Sequence, residues 1–97
     1  MGAFKNNKPK VFSFDQFNDN NDYIKVCSNH KKFSIVIDNG CHLDEPIMQT
    51  FKSFISNLET DFVYIIEDNN SVFKKLIKIY PNYNIHYDNL LTIITPK

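Results

Sequence analysis

Two short, almost continuously apolar runs constrain this chain more than anything else in it: Phe33-Ser34-Ile35-Val36-Ile37 and Phe62-Val63-Tyr64-Ile65-Ile66. Both are rich in β-branched and aromatic residues and neither alternates with polar positions. That is the pattern of strands covered on both faces, the parallel-sheet case. Between them lies the clearest helix, Asp44 to Leu58, in which Ile47, Phe51, Phe54, Ile55 and Leu58 fall at i, i+4, i+7, i+8 and i+11 and make one stripe. Asp44 is placed to cap this helix, and Pro46 falls in its first turn, where a missing N–H leaves no bond unmade. A strand, a helix and a second strand in that order imply a parallel pair joined by a crossover.

The remaining segments extend the pattern. Met1 to Lys10 is polar, carries Pro9 and shows no period, so residues 1–10 read as a flexible arm and residues 11–97 as one α/β domain. Val11 to Phe14 is a brief β-type run. Asp22 to Asn29 places Tyr23, Ile24 and Cys27 at helical spacing, with Asn21 or Asp22 as the cap. A third helix runs from Ser71 to about Tyr80, with Val72, Phe73, Leu76 and Ile77 facing inward, and Pro81 ends it. Tyr83 to Tyr87 and Leu90 to Thr95 form a hairpin about a turn near Asp88-Asn89. The predicted fold class is α/β: three parallel strands with crossover helices, closed at one edge by a C-terminal antiparallel hairpin.

Composition removes several function classes. With 97 residues the chain holds one domain, and 42% hydrophobic residues are enough for a core. Eleven lysines balance eleven acidic residues and there is no arginine, so no dense basic footprint exists for nucleic acid or an anionic membrane. No apolar run approaches the ~18 residues of a membrane span, and Met1 to Lys10 has no signal-peptide core. Cys27 and Cys41 are too few for a disulfide scaffold or a four-cysteine zinc site, which points to a reducing, cytoplasmic setting. Thirteen asparagines and twelve isoleucines reflect an A+T-rich coding bias, and the patch Asn18 to Asn21 is read as a solvated loop.

In open α/β sheets, ligands bind beyond the carboxyl ends of the parallel strands. This chain places its polar clusters there: Asp15-Gln16 after the first run, Asp38-Asn39-Gly40-Cys41-His42 after the second, Glu67-Asp68 after the third. The carboxylates and Asn39 are hard oxygen donors suited to Mg²⁺ or Ca²⁺, and His42 is a candidate general base. Taken singly, each cluster is equally ordinary turn chemistry: Asp-Asn-Gly serves strand-to-helix turns, Asp38 or Asp44 can cap a helix, and Glu67-Asp68 can be a solvated loop. The coincidence of three such clusters at equivalent strand ends carries the functional reading. His30 and His86 are read as surface and hairpin residues and Cys27 as core packing. Cys41 beside His42 does not make a cysteine-hydrolase arrangement.

The stretch Phe33 to His42, the helix after it and Phe62 to Asp68 resemble class I S-adenosylmethionine-dependent methyltransferases. The nearest branch is the sugar O-methyltransferases of macrolide biosynthesis and their cephalosporin-hydroxylase-like relatives. Those read Asp-Asp-Gly-Ser-His and then Glu-Asp after successive strands. Phe14-Asp15-Gln16 is similar to their Gly-Asp-Gln, and Ile85 to Ile94 to their closing hairpin, so the resemblance spans about residues 11 to 96. It implies that Asp15 and Gln16 lie near the adenine of the methyl donor, that His42 takes the proton of a hydroxyl acceptor, and that Asn39, Glu67 and Asp68 ligate a divalent metal, Mg²⁺. Asp38 has a structural or cofactor-side role. Where the family has its second Asp this chain has Asn39, which removes a negative charge and weakens Mg²⁺ affinity; Cys41 stands for its Ser.

The resemblance also marks an absence. A complete class I domain begins with two further strands and a glycine-rich loop for the methionine part of the donor, whereas this chain has only Gly2 and Gly40. The expectation is a truncated domain with a half-built donor site, inactive alone. It would have a small-molecule hydroxyl acceptor, a sugar by the resemblance, and a homodimer or a complementing N-terminal half as partner. Phe33 to Ile37 is then expected to pair with Val11 to Phe14, giving about five strands. A non-enzymatic interaction or assembly module on the same scaffold is the alternative. A response-regulator-like or thioredoxin-like domain is disfavoured because no Cys-x-x-C and no recognisable phospho-acceptor layout is present.

Overall fold

The computed structural model describes residues 19–40 and 42–97. In chain order the elements are α1 (Asn21–Cys27), β1 (Phe33–Asp38), α2 (Asp44–Phe54), a single 3₁₀ turn (Ile55–Asn57), β2 (Leu58–Glu67), α3 (Val72–Ile79), β3 (Tyr83–Asp88) and β4 (Leu91–Pro96). The described strands form one sheet in the order β1-β2-β4-β3. β1 and β2 are parallel, while β4 runs antiparallel to both β2 and β3. The expected α/β architecture with a parallel crossover and a hairpin at one edge is present. The strand expected at Val11 to Phe14, and its pairing with β1, lie outside the described residues.

Each element follows from local chemistry. In α2 the stripe of Ile47 and Phe51 is buried, and two hydroxyls bond back to the preceding turn: Thr50 Oγ1 donates to the Pro46 carbonyl at 2.8 Å and Ser53 Oγ to that of Gln49 at 2.9 Å. The helix ends at Phe54, earlier than the periodicity predicts, because the stripe continues through the 3₁₀ turn and Leu58 already belongs to β2. Leu43 rather than Asp44 occupies the N-cap position, and Asp44 is the first helical residue. In α1 the position before the helix is Asn20, and the Asn21 N–H donates to Asp19 Oδ1 at 3.0 Å. The hairpin turn is one residue later than predicted: Asn89 and Leu90 adopt φ of 52° and 65°, the backbone of a two-residue turn that suits the strand twist.

The two crossover helices share one face of the sheet. Val36, Phe62, Tyr64, Ile66 and Ile94 point under them and join Ile47, Phe51, Leu58, Val72 and Leu76 in a single core. Phe51 is its hub, with the rings of Tyr64, Tyr80 and Tyr83 edge-on at 4.9, 5.0 and 6.0 Å. The opposite face corrects the expectation of strands buried on both sides. Ile35 is 64% exposed and Ile37 59%, and the in-register Ile65 and Ile93 are half-buried. The physical reason is that α2 and α3 both pack on the Tyr64 side. Ile77, expected inward, is exposed, and Cys27, expected in the core, is half-buried.

α1 is secured through polar contacts. The Asn20 N–H donates to Ser53 Oγ at 2.9 Å, while Asn21 Nδ2 donates to the Ser53 carbonyl at 3.2 Å and to Ser56 Oγ. Only Ile24 of this helix is buried.

Candidate functional site

The register of the parallel pair sets the site. Asp38 of β1 lies opposite Ile66 of β2, so the next residues, Asn39 and Glu67, leave neighbouring strands side by side at the same rim. Adjacent strands are about 4.8 Å apart, which brings both side chains within reach of one small ligand. Asn39 is exposed and Glu67 half-buried.

Asp38 behaves differently from its neighbour because alternate residues of a strand face opposite sides. Its carboxylate is buried on the helix-covered face, where Oδ1 accepts the Gly40 N–H at 3.2 Å. It thereby shapes the turn that carries Asn39 and His42. Burial, and then the Asp38 charge, push the Tyr64 hydroxyl well above 10, and that hydroxyl has no hydrogen-bond partner.

After β2 the backbone passes through a left-handed residue, Asp68, with φ of 58°. This leaves Asp68 exposed and turns Asn69 into the protein, where it is 6% exposed. Both polar atoms of the Asn69 side chain are bonded twice. Its amide Nδ2 donates to the His42 carbonyl and to Asp44 Oδ1, each at 2.9 Å, and its Oδ1 accepts from the N–H groups of Ser71 at 2.9 Å and Val72 at 2.7 Å. The amide orientation is fixed by its partners, since a flip would set donors against donors. Its own N–H donates to the Leu90 carbonyl at 3.4 Å. One residue thus ties the loop after β1 and the start of α3 through its side chain, and the hairpin turn through its backbone N–H.

Asp44 completes this brace. Its carboxylate accepts from Ser71 Oγ at 2.7 Å and pairs with Lys75 Nζ at 3.1 Å. Burial raises its pKa, but the bonds from Ser71, Asn69 and Lys75 outweigh it and hold the group below the ordinary 3.8. His42 is exposed at the edge of an open cleft of about 530 Å³ that it lines with Leu43, Asp44, Glu45, Pro46 and Ser71.

The structure therefore sets Asn39 beside Glu67 at the strand ends, with Asp68 next in the chain, turns Asp38 to the covered face, and leaves His42 on the cleft beside α2, whose lining includes none of Asn39, Glu67 and Asp68. Asp15, Gln16 and Cys41 lie outside the described residues. Among the described residues no three or more His, Cys, Asp and Glu side chains gather closely enough to enclose a metal ion. The donors expected from the sequence, Asn39, Glu67 and Asp68, would offer two carboxylates and an amide oxygen. That set fits Mg²⁺, which is commonly held by one or two carboxylates and keeps several waters, and does not fit zinc, which takes nitrogen and sulfur ligands in a closed shell. Asn69 is the residue that sequence reasoning missed. Its signal was present in Asn69-Asn70-Ser71, a run of capping residues directly before the apolar period of α3.

No known family profile matches the sequence, and no curated protein does. Solved structures do match. MycE methyltransferase from the mycinamycin biosynthetic pathway, in complex with Mg and SAH, is 17% identical over 88% of this chain with a TM-score of 0.65. The same enzyme with Mg, SAH and mycinamycin VI is 16% identical over 90% of this chain with a TM-score of 0.69. In both cases the match covers 31% of the MycE chain, so this chain spans about a third of its length. At such identities the likeness is one of fold: the described arrangement is methyltransferase-like.

Proposed function

We propose that these residues form the acceptor side of an S-adenosylmethionine-dependent O-methyltransferase. In this reading Asn39, Glu67 and Asp68 hold Mg²⁺, and His42 is the general base for a small-molecule hydroxyl, a sugar by the family resemblance. The observation that carries it is the shared rim: the loops after both parallel strands present oxygen donors and an exposed imidazole, tied to each other through Asn69. The Mg and SAH bound by the MycE structures, and the mycinamycin VI in one of them, support the same class of chemistry.

Bound Mg²⁺ supplies Lewis-acid polarisation of an oxygen. The chain's own residues do the rest. His42, exposed at the cleft mouth, accepts the hydroxyl proton at its ring nitrogen, and the Asn69 bond to its carbonyl limits where that ring can travel. Asp38 holds the turn from below, and its inward carboxylate supports the structural half of the role expected for it. Asp15 and Gln16 are assigned to the adenine.

Gly2 and Gly40 cannot make a glycine-rich loop, so in this reading the methionine and ribose contacts lie outside these 97 residues. A complementing N-terminal half supplies them in the cytoplasm, a homodimer being the other association this reading allows, and these 97 residues alone do not transfer methyl groups. Calorimetric titration of S-adenosylmethionine into the chain, with and without Mg²⁺, tests this. Micromolar binding that strengthens with Mg²⁺ and loses that increment in Asp68→Ala is the expected result. No binding in either buffer removes the donor assignment.

A second reading has its own observation. The exposed Ile35 and Ile37 favour an interaction or assembly module on the same scaffold. Self-association without any donor binding supports that alternative.

A further inference from the structure

Asn39-Gly40 is the sole Asn-Gly step in a chain with thirteen asparagines. Both residues are exposed at the rim. Glycine has no Cβ to shield its backbone nitrogen from the preceding side chain. At this position the carboxylate of Asp38 also sits on the N–H of Gly40, with Oδ1 3.2 Å from the nitrogen. A base within hydrogen-bond reach of the proton that must leave is the geometry of general-base assistance. Two other asparagines near the site are protected, while the exposed Asn70 precedes Ser71, whose side chain shields its backbone nitrogen more than glycine does. Asn69 is buried with its amide fully engaged, and Asn89 precedes the bulky Leu90.

We propose that Asn39 deamidates spontaneously, so that the protein generates for itself the carboxylate its Mg²⁺ site is short of. The gain in metal binding rests on the function proposed above; the modification itself does not. The Gly40 nitrogen attacks Asn39 Cγ as its proton passes to the Asp38 carboxylate. A nitrogen–carbon bond forms, the side-chain carbon–nitrogen bond breaks, and ammonia leaves carrying the transferred proton. Water then opens the five-membered imide at either carbonyl and leaves aspartate or its β-linked isomer. One water is consumed and one ammonia released; nothing is oxidised or reduced. The neutral amide becomes an anion, and the donor set rises from two carboxylates to three, which strengthens a hard-cation site.

The test follows the whole 97-residue chain, aged in mildly alkaline buffer at body temperature, by mass spectrometry of the tryptic peptide from Phe33 to Lys52. A gain of one mass unit located at Asn39 is expected, outpacing every other asparagine. Gly40→Ala is expected to slow it by at least an order of magnitude; Gly40 has no positive φ, so the added Cβ meets no left-handed backbone penalty. Asp38→Asn, which removes the base but keeps an acceptor, is expected to slow it less. Mg²⁺ titrations of fresh, aged and Asn39→Asp protein complete the set, the last two binding several-fold more tightly than the first. An Asn39 that stays intact, or converts no faster than Asn89, overturns the proposal. Conversion that leaves Mg²⁺ binding unchanged in both the aged chain and Asn39→Asp upholds the modification and overturns the metal assignment.

Discussion

Asn69 and Asp44 concentrate more of this site's order than any of the residues expected to do chemistry. Asn69→Ala removes two donors and the acceptor that caps α3, and leaves Asp44 and the His42 carbonyl short of a partner. A loss of about 2 kcal/mol is expected in urea unfolding, since unsatisfied buried polar groups cost ~1–3 kcal/mol each and this region keeps partial access to water. Asn69→Ser, which retains a capping oxygen, is expected to recover part of the stability while the His42 loop stays less ordered by nuclear magnetic relaxation. Asp44 adds a pH dependence. Its pKa in the folded chain lies below the ordinary 3.8, so its contribution is fully present above that value and is lost as pH falls through the lower, folded value. Acid titration of stability is expected to be steeper in the native chain than in Asp44→Asn below about pH 4. At this scale the sequence spoke clearly through residue type and faintly through geometry. Asp, Asn, Glu and His at strand ends were readable as donors. That Asp38 faces inward and Asn39 outward depends on strand parity, and that Asp68 turns left-handed depends on a single backbone angle.

Among the elements, the helix and strand periods located nearly everything, and the exceptions have physical causes. A continuous apolar run says that a strand is compatible with burial on both faces. It does not say that a helix lies on each face, and β1 shows the difference at Ile35 and Ile37. The end of α2 was obscured because the stripe through Phe54, Ile55 and Leu58 keeps its helical spacing while the backbone tightens and then extends. The turn between β3 and β4 hides a mismatch: Leu90 holds a left-handed conformation, at ~1–2 kcal/mol for a residue with a Cβ. Leu90→Gly relieves that strain against ~0.5–1 kcal/mol of extra freedom in the unfolded chain, so a net gain of about 0.5 kcal/mol is expected. Thermal unfolding is expected to shift up by about 2–4 °C, given ~4–8 °C per kcal/mol for a domain of this size. A fall would mean that the exposed Leu90 side chain makes contacts worth more than the strain.

For the molecule as a whole the dominant fact is that, among the described residues, both crossover helices lie on one side of the sheet. The opposite side offers Ile35 and Ile37 to solvent, next to Ile65 and Ile93. Ile35→Lys with Ile37→Lys is expected to change monomer unfolding by less than about 0.5 kcal/mol, as surface substitutions do. The pair is expected to reduce self-association in sedimentation experiments. Association that persists in the double variant places the contact elsewhere.

The sheet order also dictates a timetable. β4, the last described element in chain order, lies between β2 and β3, both of which precede it in the chain. β3 therefore has no neighbour to pair with until Leu91 to Pro96 has been synthesised, and the Leu90 carbonyl that accepts the Asn69 N–H arrives with it. Closure of the sheet between β2 and β3 therefore waits on residues 91–96, in whatever order its other parts form.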